Sequence, residues 1–116
     1  MKKEIYLIRH AQSEANAALD LDDPTFYYDA CITKLGEKQT LIAQNKLKNI
    51  DFDLMLCSPL TRTLQTFSLI FPKPIANTII LPLVREHLDH SCDVGRQPSI
   101  LKKEFPHFYF DEVKEF

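Results

Sequence analysis

The sequence is poor in glycine, and its cysteines form no recognisable framework. Of its 116 residues only Gly36 and Gly95 are glycines. Phosphate-binding P-loops and dinucleotide fingerprints need several closely spaced glycines, so both kinds of nucleotide site are excluded. The three cysteines are odd in number and irregular in spacing. They therefore do not indicate a disulfide-stabilised secreted protein.

Long apolar runs and an excess of one charge are also missing. The apolar runs cover only a few residues, which is too short for a membrane span or a signal peptide. The formal net charge is -2 and there is no basic run, so no general attraction to nucleic acid or anionic membranes is expected. We therefore predict one domain over residues 1–116, in the cytoplasm, with neither nucleic acid nor membrane as a partner.

Short apolar segments alternate with helical patterns along the chain. The segments expected to be strands are 5–8, 54–57 and 79–84, and each ends in polar or charged residues. Helical patterns are expected in part of 13–21 and over 33–49, 59–71 and 99–105. This alternation predicts an α/β fold with a parallel sheet.

Four side chains recur at helical spacing after Pro59 and predict one buried helix face; they are Leu60, Leu64, Phe67 and Phe71. Thr33 is expected to cap the preceding helix. Gly36 lies in that helix, where glycine costs about 1 kcal/mol relative to alanine, so a reason other than helix stability is expected for it. Cys57 is expected to be a small buried apolar residue.

Charged side chains follow each expected strand. Arg9 and His10 follow the first, Arg62 lies early in the helix after the second, and Glu86 follows the third. Parallel strands bring these ends to one rim of the sheet. Guanidinium groups and a helix N-terminus bind phosphate, an imidazole can attack phosphorus, and a carboxylic acid can protonate a leaving group. The rim therefore predicts a phosphoryl-transfer site in which arginines supply the charge stabilisation.

Metal binding is the alternative reading of the residues after Glu86. His87, His90 and Cys92 are ligand types at close spacing, but they lack a clear fourth ligand. We therefore expect no metal and no cofactor.

Four segments resemble, in order, the motifs of the histidine phosphatase superfamily, the phosphoglycerate mutase-like proteins. Residues 9–16 (RHAQSEAN) are similar to R-H-G-x-x-x-x-N, and residues 32–39 (ITKLGEKQ) to L-T-x-x-G-x-x-Q. Residues 58–66 (SPLTRTLQT) resemble S-x-x-x-R-x-x-Q-T, and residues 83–86 (LVRE) the segment that ends in the catalytic acid. The resemblance implies a three-layer α/β sandwich.

The resemblance also implies a role for each candidate residue. His10 would be the nucleophile that becomes phosphorylated, and Glu86 the general acid and base. Arg9 and Arg62 would bind the phosphate, with Asn16 as a further polar contact. The implied substrate is a small phosphorylated compound, or phosphate itself.

This sequence departs from the family pattern mainly after Glu86. Ala11 and Ile32 replace the usual glycine and leucine, which are small changes. The family has a second catalytic histidine at the end of a later strand, but only thirty residues follow Glu86 here and His107 lacks that context. We therefore expect a domain that is incomplete at its C-terminus. In the family, the strand that ends in this histidine lies between the first two strands of the sheet, so its absence would leave a gap there. Only the aromatic residues 108–110 are available to fill the resulting gap.

Three functional hypotheses remain open from the sequence. The first is a phosphatase or mutase that forms phosphohistidine and whose activity truncation could impair. The second is a non-catalytic module that binds phosphate or another anion, and the third is an inactive fragment. Nothing in the sequence identifies the substrate, the oligomeric state, or whether water or a second acceptor receives the phosphoryl group.

Overall fold

The computed structural model describes residues 2–18, 29–72, 77–85 and 94–114. Within these ranges it contains four α-helices, α1 (Glu14–Ala18), α2 (Lys34–Leu47), α3 (Thr61–Ile70) and α4 (Pro98–Glu104). Two strands, β1 (Met55–Cys57) and β2 (Thr78–Ile80), are followed by a 3₁₀ turn at Pro82–Val84. The expected α/β class is confirmed.

β1 and β2 form a parallel pair connected by α3. Met55 lies opposite Thr78, and Cys57 lies opposite Ile80. The pairing continues where the Leu81 amide donates to the Cys57 carbonyl at 2.9 Å. The second and third predicted strands are thus confirmed, but the third ends before Val84. Proline has no amide to continue the ladder, and Pro82 starts the 3₁₀ turn instead.

The predicted helices form with small shifts at their ends. Thr33 caps α2, since its hydroxyl accepts a hydrogen bond from the Gly36 amide at 3.1 Å. α3 begins at Thr61 rather than at Pro59, and ends before Pro72. α2 packs against α3, and α3 packs against β1. The predicted first helix forms as α1, while its continuation beyond Ala18 lies outside the described residues.

The core lies between α3, the sheet and the C-terminal part of the chain. The predicted apolar stripe supplies Leu60 and Leu64, which are almost fully buried. Around Leu64 lies a cluster of buried side chains consisting of Cys57, Ile80, Leu101 and Phe110. Burial raises the pKa of the Cys57 thiol to about 12, so this cysteine is neutral and packs as a small apolar group.

The prediction of a buried strand over residues 5–8 is wrong for this structure. Leu7 is 94% exposed and Ile5 is 85% exposed. Among the described residues, no backbone hydrogen bond joins residues 2–9 to another segment. An apolar run forms a strand only where a neighbour pairs with its amides and carbonyls, and the described part of the chain offers none.

A groove with a volume of about 1250 Å³ separates residues 2–10 from residues 51–58. Its floor is one side of α3, with Phe67 and Ile70 among the lining side chains. The groove lies where the family resemblance implied a gap between the first two strands.

The aromatic tail does not fill this gap, contrary to the expectation from the sequence. Phe110 is buried in the core cluster instead. The ring of Phe108 packs edge-on against Phe67, with 5.3 Å between the centroids, and Tyr109 is 80% exposed. The tail therefore completes the core beside α3, and none of its three residues lines the groove.

No helix within the described ranges is long and apolar enough to cross a membrane. Glu86 and the possible metal ligands His87, His90 and Cys92 all lie outside the described residues. Cys31 and Cys57, the two described cysteines, are both unbridged.

Candidate functional site

His10 is half-buried at the beginning of the loop that leads to α1. Its Nδ1 lies 2.7 Å from the carbonyl oxygen of Ala11. A carbonyl oxygen can only accept a hydrogen bond, so Nδ1 must carry the proton. In the neutral ring the lone pair then lies on Nε2. The local backbone therefore selects the tautomer in which Nε2 is the nucleophilic atom.

Thr66 joins the His10 loop to α3. The Ala11 amide donates to the Thr66 hydroxyl oxygen at 3.0 Å, and that hydroxyl donates to the Arg62 carbonyl at 2.7 Å. Thr66 is buried, so its hydroxyl makes both hydrogen bonds away from water. This relay fixes the residue after His10 to the helical turn that carries Arg62.

The start of α2 holds the next residue of the loop, Gln12. The Gln39 side-chain oxygen accepts from the Gln12 amide at 2.8 Å, and the Thr33 amide donates to the Gln12 carbonyl at 2.9 Å. A Cβ atom added at Gly36 would collide with that same carbonyl oxygen. The absence of a side chain at Gly36 therefore allows the close approach of loop and helix, which explains the glycine within α2.

Asn16 is held by Ser13 at the first turn of α1. Its side-chain oxygen accepts from the Ser13 amide at 3.1 Å and from the Ser13 hydroxyl at 3.0 Å. Because the backbone amide can only donate, the atom facing Ser13 must be the oxygen. The side-chain NH₂ of Asn16 makes no hydrogen bond within the described ranges. It is the donor that an anion above the loop could use.

Arg62 lies in the first turn of α3 and is only 2% exposed. The N-terminus of α3 has no cap from its own flanking residues, and Asp29 takes that place. One carboxylate oxygen accepts from the Thr61 amide at 2.8 Å and the other from the Thr61 hydroxyl at 2.6 Å. A fully buried carboxylate therefore fixes the turn that carries Arg62.

Arg96 completes the surroundings of Asp29. Its amide donates to the Asp29 carboxylate at 3.2 Å, and its Nε lies 3.6 Å from the same oxygen. The guanidinium also forms a two-pronged pair with Glu104, with distances of 3.1 and 2.9 Å. Asp29 thus joins α3 to the segment before α4, and its buried charge is balanced.

The structure brings together only part of the predicted site. His10 and Arg62 are linked through Ala11 and Thr66, and His10 and Arg9 both line the end of the groove. Arg9 and Arg85 are exposed, and Glu86 lies outside the described residues.

No group of three or more potential metal-ligating side chains occurs in the described part of the chain. His87, His90 and Cys92 are not among the described residues, so the absence of a metal remains a prediction. The described residues offer a histidine of defined tautomer that adjoins Arg9 and whose loop is hydrogen-bonded to the helix that carries Arg62. Guanidinium groups of this kind are suited to a phosphate group.

A comparison with protein families identifies the family to which this chain is similar. The family model described as histidine phosphatase superfamily (branch 1) matches residues 5–112, nearly the whole chain. The chain belongs to the histidine phosphatase superfamily. The match includes both the loop after His10 and the N-terminal turn of α3.

One curated relative is a probable phosphatase of Schizosaccharomyces pombe, which is 30% identical over 121 aligned residues. The alignment covers 97% of this chain but 54% of the yeast protein. This histidine phosphatase chain therefore spans about half the length of the curated relative that it matches. No solved structure matches it significantly.

Two residues that organise the site were not predicted from the sequence. Thr66 is the last residue of the resembling segment 58–66, so a motif position pointed to it, although no role did. No sequence pattern pointed to Asp29, because its hydrogen-bond partner Thr61 is 32 positions away in the sequence. Gly36 was predicted to be present for a reason other than helix stability, and its close contact with Gln12 is that reason.

Proposed function

We propose that this histidine phosphatase chain contributes the nucleophile and the phosphate-binding arginines of a phosphomonoesterase or phosphotransferase. The observation that carries the proposal is the hydrogen bond from His10 Nδ1 to the Ala11 carbonyl, since it leaves the attacking lone pair on Nε2. Membership of the family and the similarity to a probable phosphatase support it.

In the proposed first step, Nε2 of His10 attacks the phosphorus of a monoester. A P–N bond forms as the P–O bond to the alcohol breaks, and the leaving oxygen takes a proton from the Glu86 carboxyl group. The positive charge that develops on the ring is stabilised by the Ala11 carbonyl at Nδ1. Arg9, Arg62 and the Asn16 amide would bind the phosphoryl oxygens during this transfer.

In the second step an acceptor oxygen attacks the phosphohistidine. When the acceptor is water, the Glu86 carboxylate removes a proton from it, the P–N bond breaks and phosphate leaves. When the acceptor is another alcohol, the same step gives phosphoryl transfer to a second substrate. The reaction class is therefore phosphatase or mutase, and the substrate is a small phosphorylated compound.

A test of this proposal measures the covalent intermediate directly. Incubation with a ³²P-labelled phosphomonoester is expected to leave acid-labile, base-stable label on the protein, and His10→Ala should remove it. His107→Ala is the matched control, because His107 is exposed and does not line the groove; this variant should label like the wild type. Label that persists in His10→Ala would contradict the proposal.

A non-catalytic anion-binding module is the second candidate, because only half of the yeast relative is matched. Calorimetric titration with phosphate separates the two. Binding without labelling would favour the anion-binding module, and we expect Arg62→Lys to weaken binding, since lysine keeps the charge but loses the fork geometry. Thermal unfolding of Arg62→Lys is the control for folding, because Arg62 is buried.

A further inference from the structure

Asp29 carries a fully buried carboxylate that the proposed mechanism does not use. Its backbone φ is 41°, in the left-handed region that aspartate, asparagine and glycine adopt more readily than other residues. One carboxylate oxygen accepts from the Thr61 amide at 2.8 Å, and the other accepts from the Thr61 hydroxyl at 2.6 Å. Because a buried charge is costly unless it is both paired and hydrogen-bonded, the surroundings of Asp29 must also supply a cation.

Arg96 is that cation, and it lies between two carboxylates of different exposure. Its Nε is 3.6 Å from an Asp29 oxygen, while its Nη1 lies 3.1 and 2.9 Å from the two oxygens of Glu104. The Asp29 side chain is 0% exposed and that of Glu104 is 45% exposed. The network therefore has an inner carboxylate that contacts α3 and an outer carboxylate that faces solvent.

The N-terminus of α3 is already occupied by protein groups. The Thr61 amide donates to Asp29, and the Thr63 amide donates to the Leu60 carbonyl at 3.0 Å. A carboxylate at this end of the helix satisfies its positive dipole and repels a second anion. A phosphate bound beside α3 therefore depends on the Arg62 guanidinium rather than on these two amides.

The backbone of Arg62 is held on both sides. Thr61, the residue before it, is bound by Asp29, and the Arg62 carbonyl accepts from the Thr66 hydroxyl at 2.7 Å. A guanidinium binds two phosphate oxygens at once only when its plane is correctly oriented. We propose that Asp29 is a positioning residue for phosphate binding, which acts through Thr61 on the orientation of Arg62. This inference rests on the proposed function, in which Arg62 binds the phosphoryl group.

Calorimetric titration of the full chain with inorganic phosphate tests the inference. Asp29→Asn keeps the size of the side chain and tolerates the positive φ, but it loses the charge and one acceptor oxygen. We expect it to raise the Kd for phosphate roughly tenfold, because small misplacements of a binding group have large effects. Glu104→Gln makes the same change from carboxylate to amide at the exposed end of the network, and this variant should bind phosphate like the wild type.

A double-mutant cycle with Arg62→Lys separates positioning from a general effect on the fold. If Asp29 acts through Arg62, Asp29→Asn should weaken phosphate binding in the wild-type background but have little further effect in Arg62→Lys. A merely structural role would weaken binding by the same factor in both backgrounds, and that result would overturn the inference.

A milder pair of variants at Thr61 gives the same test if Asp29→Asn fails to fold, which thermal unfolding shows. Thr61→Val removes only the hydroxyl donor to Asp29 and should raise the Kd for phosphate roughly two- to fivefold, whereas Thr61→Ser keeps the hydroxyl and should bind like the wild type. Unchanged binding in the folded variants Asp29→Asn or Thr61→Val would overturn this inference alone. A wild-type chain that neither binds phosphate nor becomes labelled would overturn the proposed function and this inference with it.

Discussion

The loop after His10 and the segment before it differ sharply in how their backbones are satisfied. Beyond His10, Ala11 bonds to Thr66, and Gln12 bonds to both Thr33 and Gln39. Before His10, residues 2–9 make no backbone hydrogen bond in the described part of the chain. The same histidine therefore has a hydrogen-bonded loop on one side and, among the described residues, a segment without backbone partners on the other.

The difference shows which parts of the chain hold the backbone on each side of His10. The partners of the loop come from α2 and α3, which form from local patterns and pack together within the described chain. The segment before His10 needs a neighbouring strand, which no described part of the chain supplies. The loop after His10 is thus held in place by described residues, whereas the segment before His10 depends on a further strand.

The largest effect that separates the two regions is expected from truncating one leucine in each. Leu64→Ala should lower the free energy of unfolding by about 2–5 kcal/mol, because Leu64 is fully buried and the change leaves a cavity. Leu7→Ala should change it by less than about 0.5 kcal/mol, because Leu7 is 94% exposed. Urea denaturation measures both.

Equal losses in the free energy of unfolding for Leu64→Ala and Leu7→Ala would contradict this difference between the two regions. Such a result would mean that residues 2–10 are packed in the folded monomer.

The next effect concerns the relay between the loop and α3. Thr66→Val should lower the free energy of unfolding by about 1–3 kcal/mol, because valine leaves the buried Ala11 amide without an acceptor. Thr66→Ser keeps the hydroxyl and should lower the free energy of unfolding by less. Thermal unfolding measures the loss, and the Ala11 amide resonance, followed by NMR, should shift in Thr66→Val but stay close to its original position in Thr66→Ser.

If the relay positions His10, the valine variant should also broaden the imidazole resonances of His10, and the serine variant should restore them. Broadening in both variants, or in neither, would indicate that Thr66 serves packing alone.

The sequence was sufficient wherever a structural feature depends on neighbours along the chain. The cap at Thr33, the strand at β1 and the buried stripe on α3 all follow local periodicity and were predicted. The strand at residues 5–8 was not formed, since strand formation depends on pairing with a distant segment that periodicity does not reveal. Asp29 and Phe110 were missed for the same reason, because burial of each depends on contacts far along the sequence.

The roles of Arg9, His10, Asn16, Arg62 and Glu86 in catalysis remain predictions from the family resemblance. The structure positions the first four, and Glu86 lies outside the described residues. The geometry adds the tautomer of His10 and the support of Arg62 by Asp29, neither of which follows from spacing along the chain.

The smallest effect is expected at the two glycines, where two contributions oppose each other. Gly36→Ala should gain about 1 kcal/mol from helix propensity, but the new Cβ collides with the Gln12 carbonyl, and such overpacking costs about 1–3 kcal/mol. The collision involves backbone, which cannot turn aside as a side chain can, so we expect a net loss of about 1 kcal/mol in urea denaturation. At Gly95 the added Cβ would lie 3.6 Å from Leu60, an ordinary contact. Gly95→Ala should therefore be neutral or slightly stabilising, and stabilisation by Gly36→Ala would show that the loop after His10 is not held rigidly against α2.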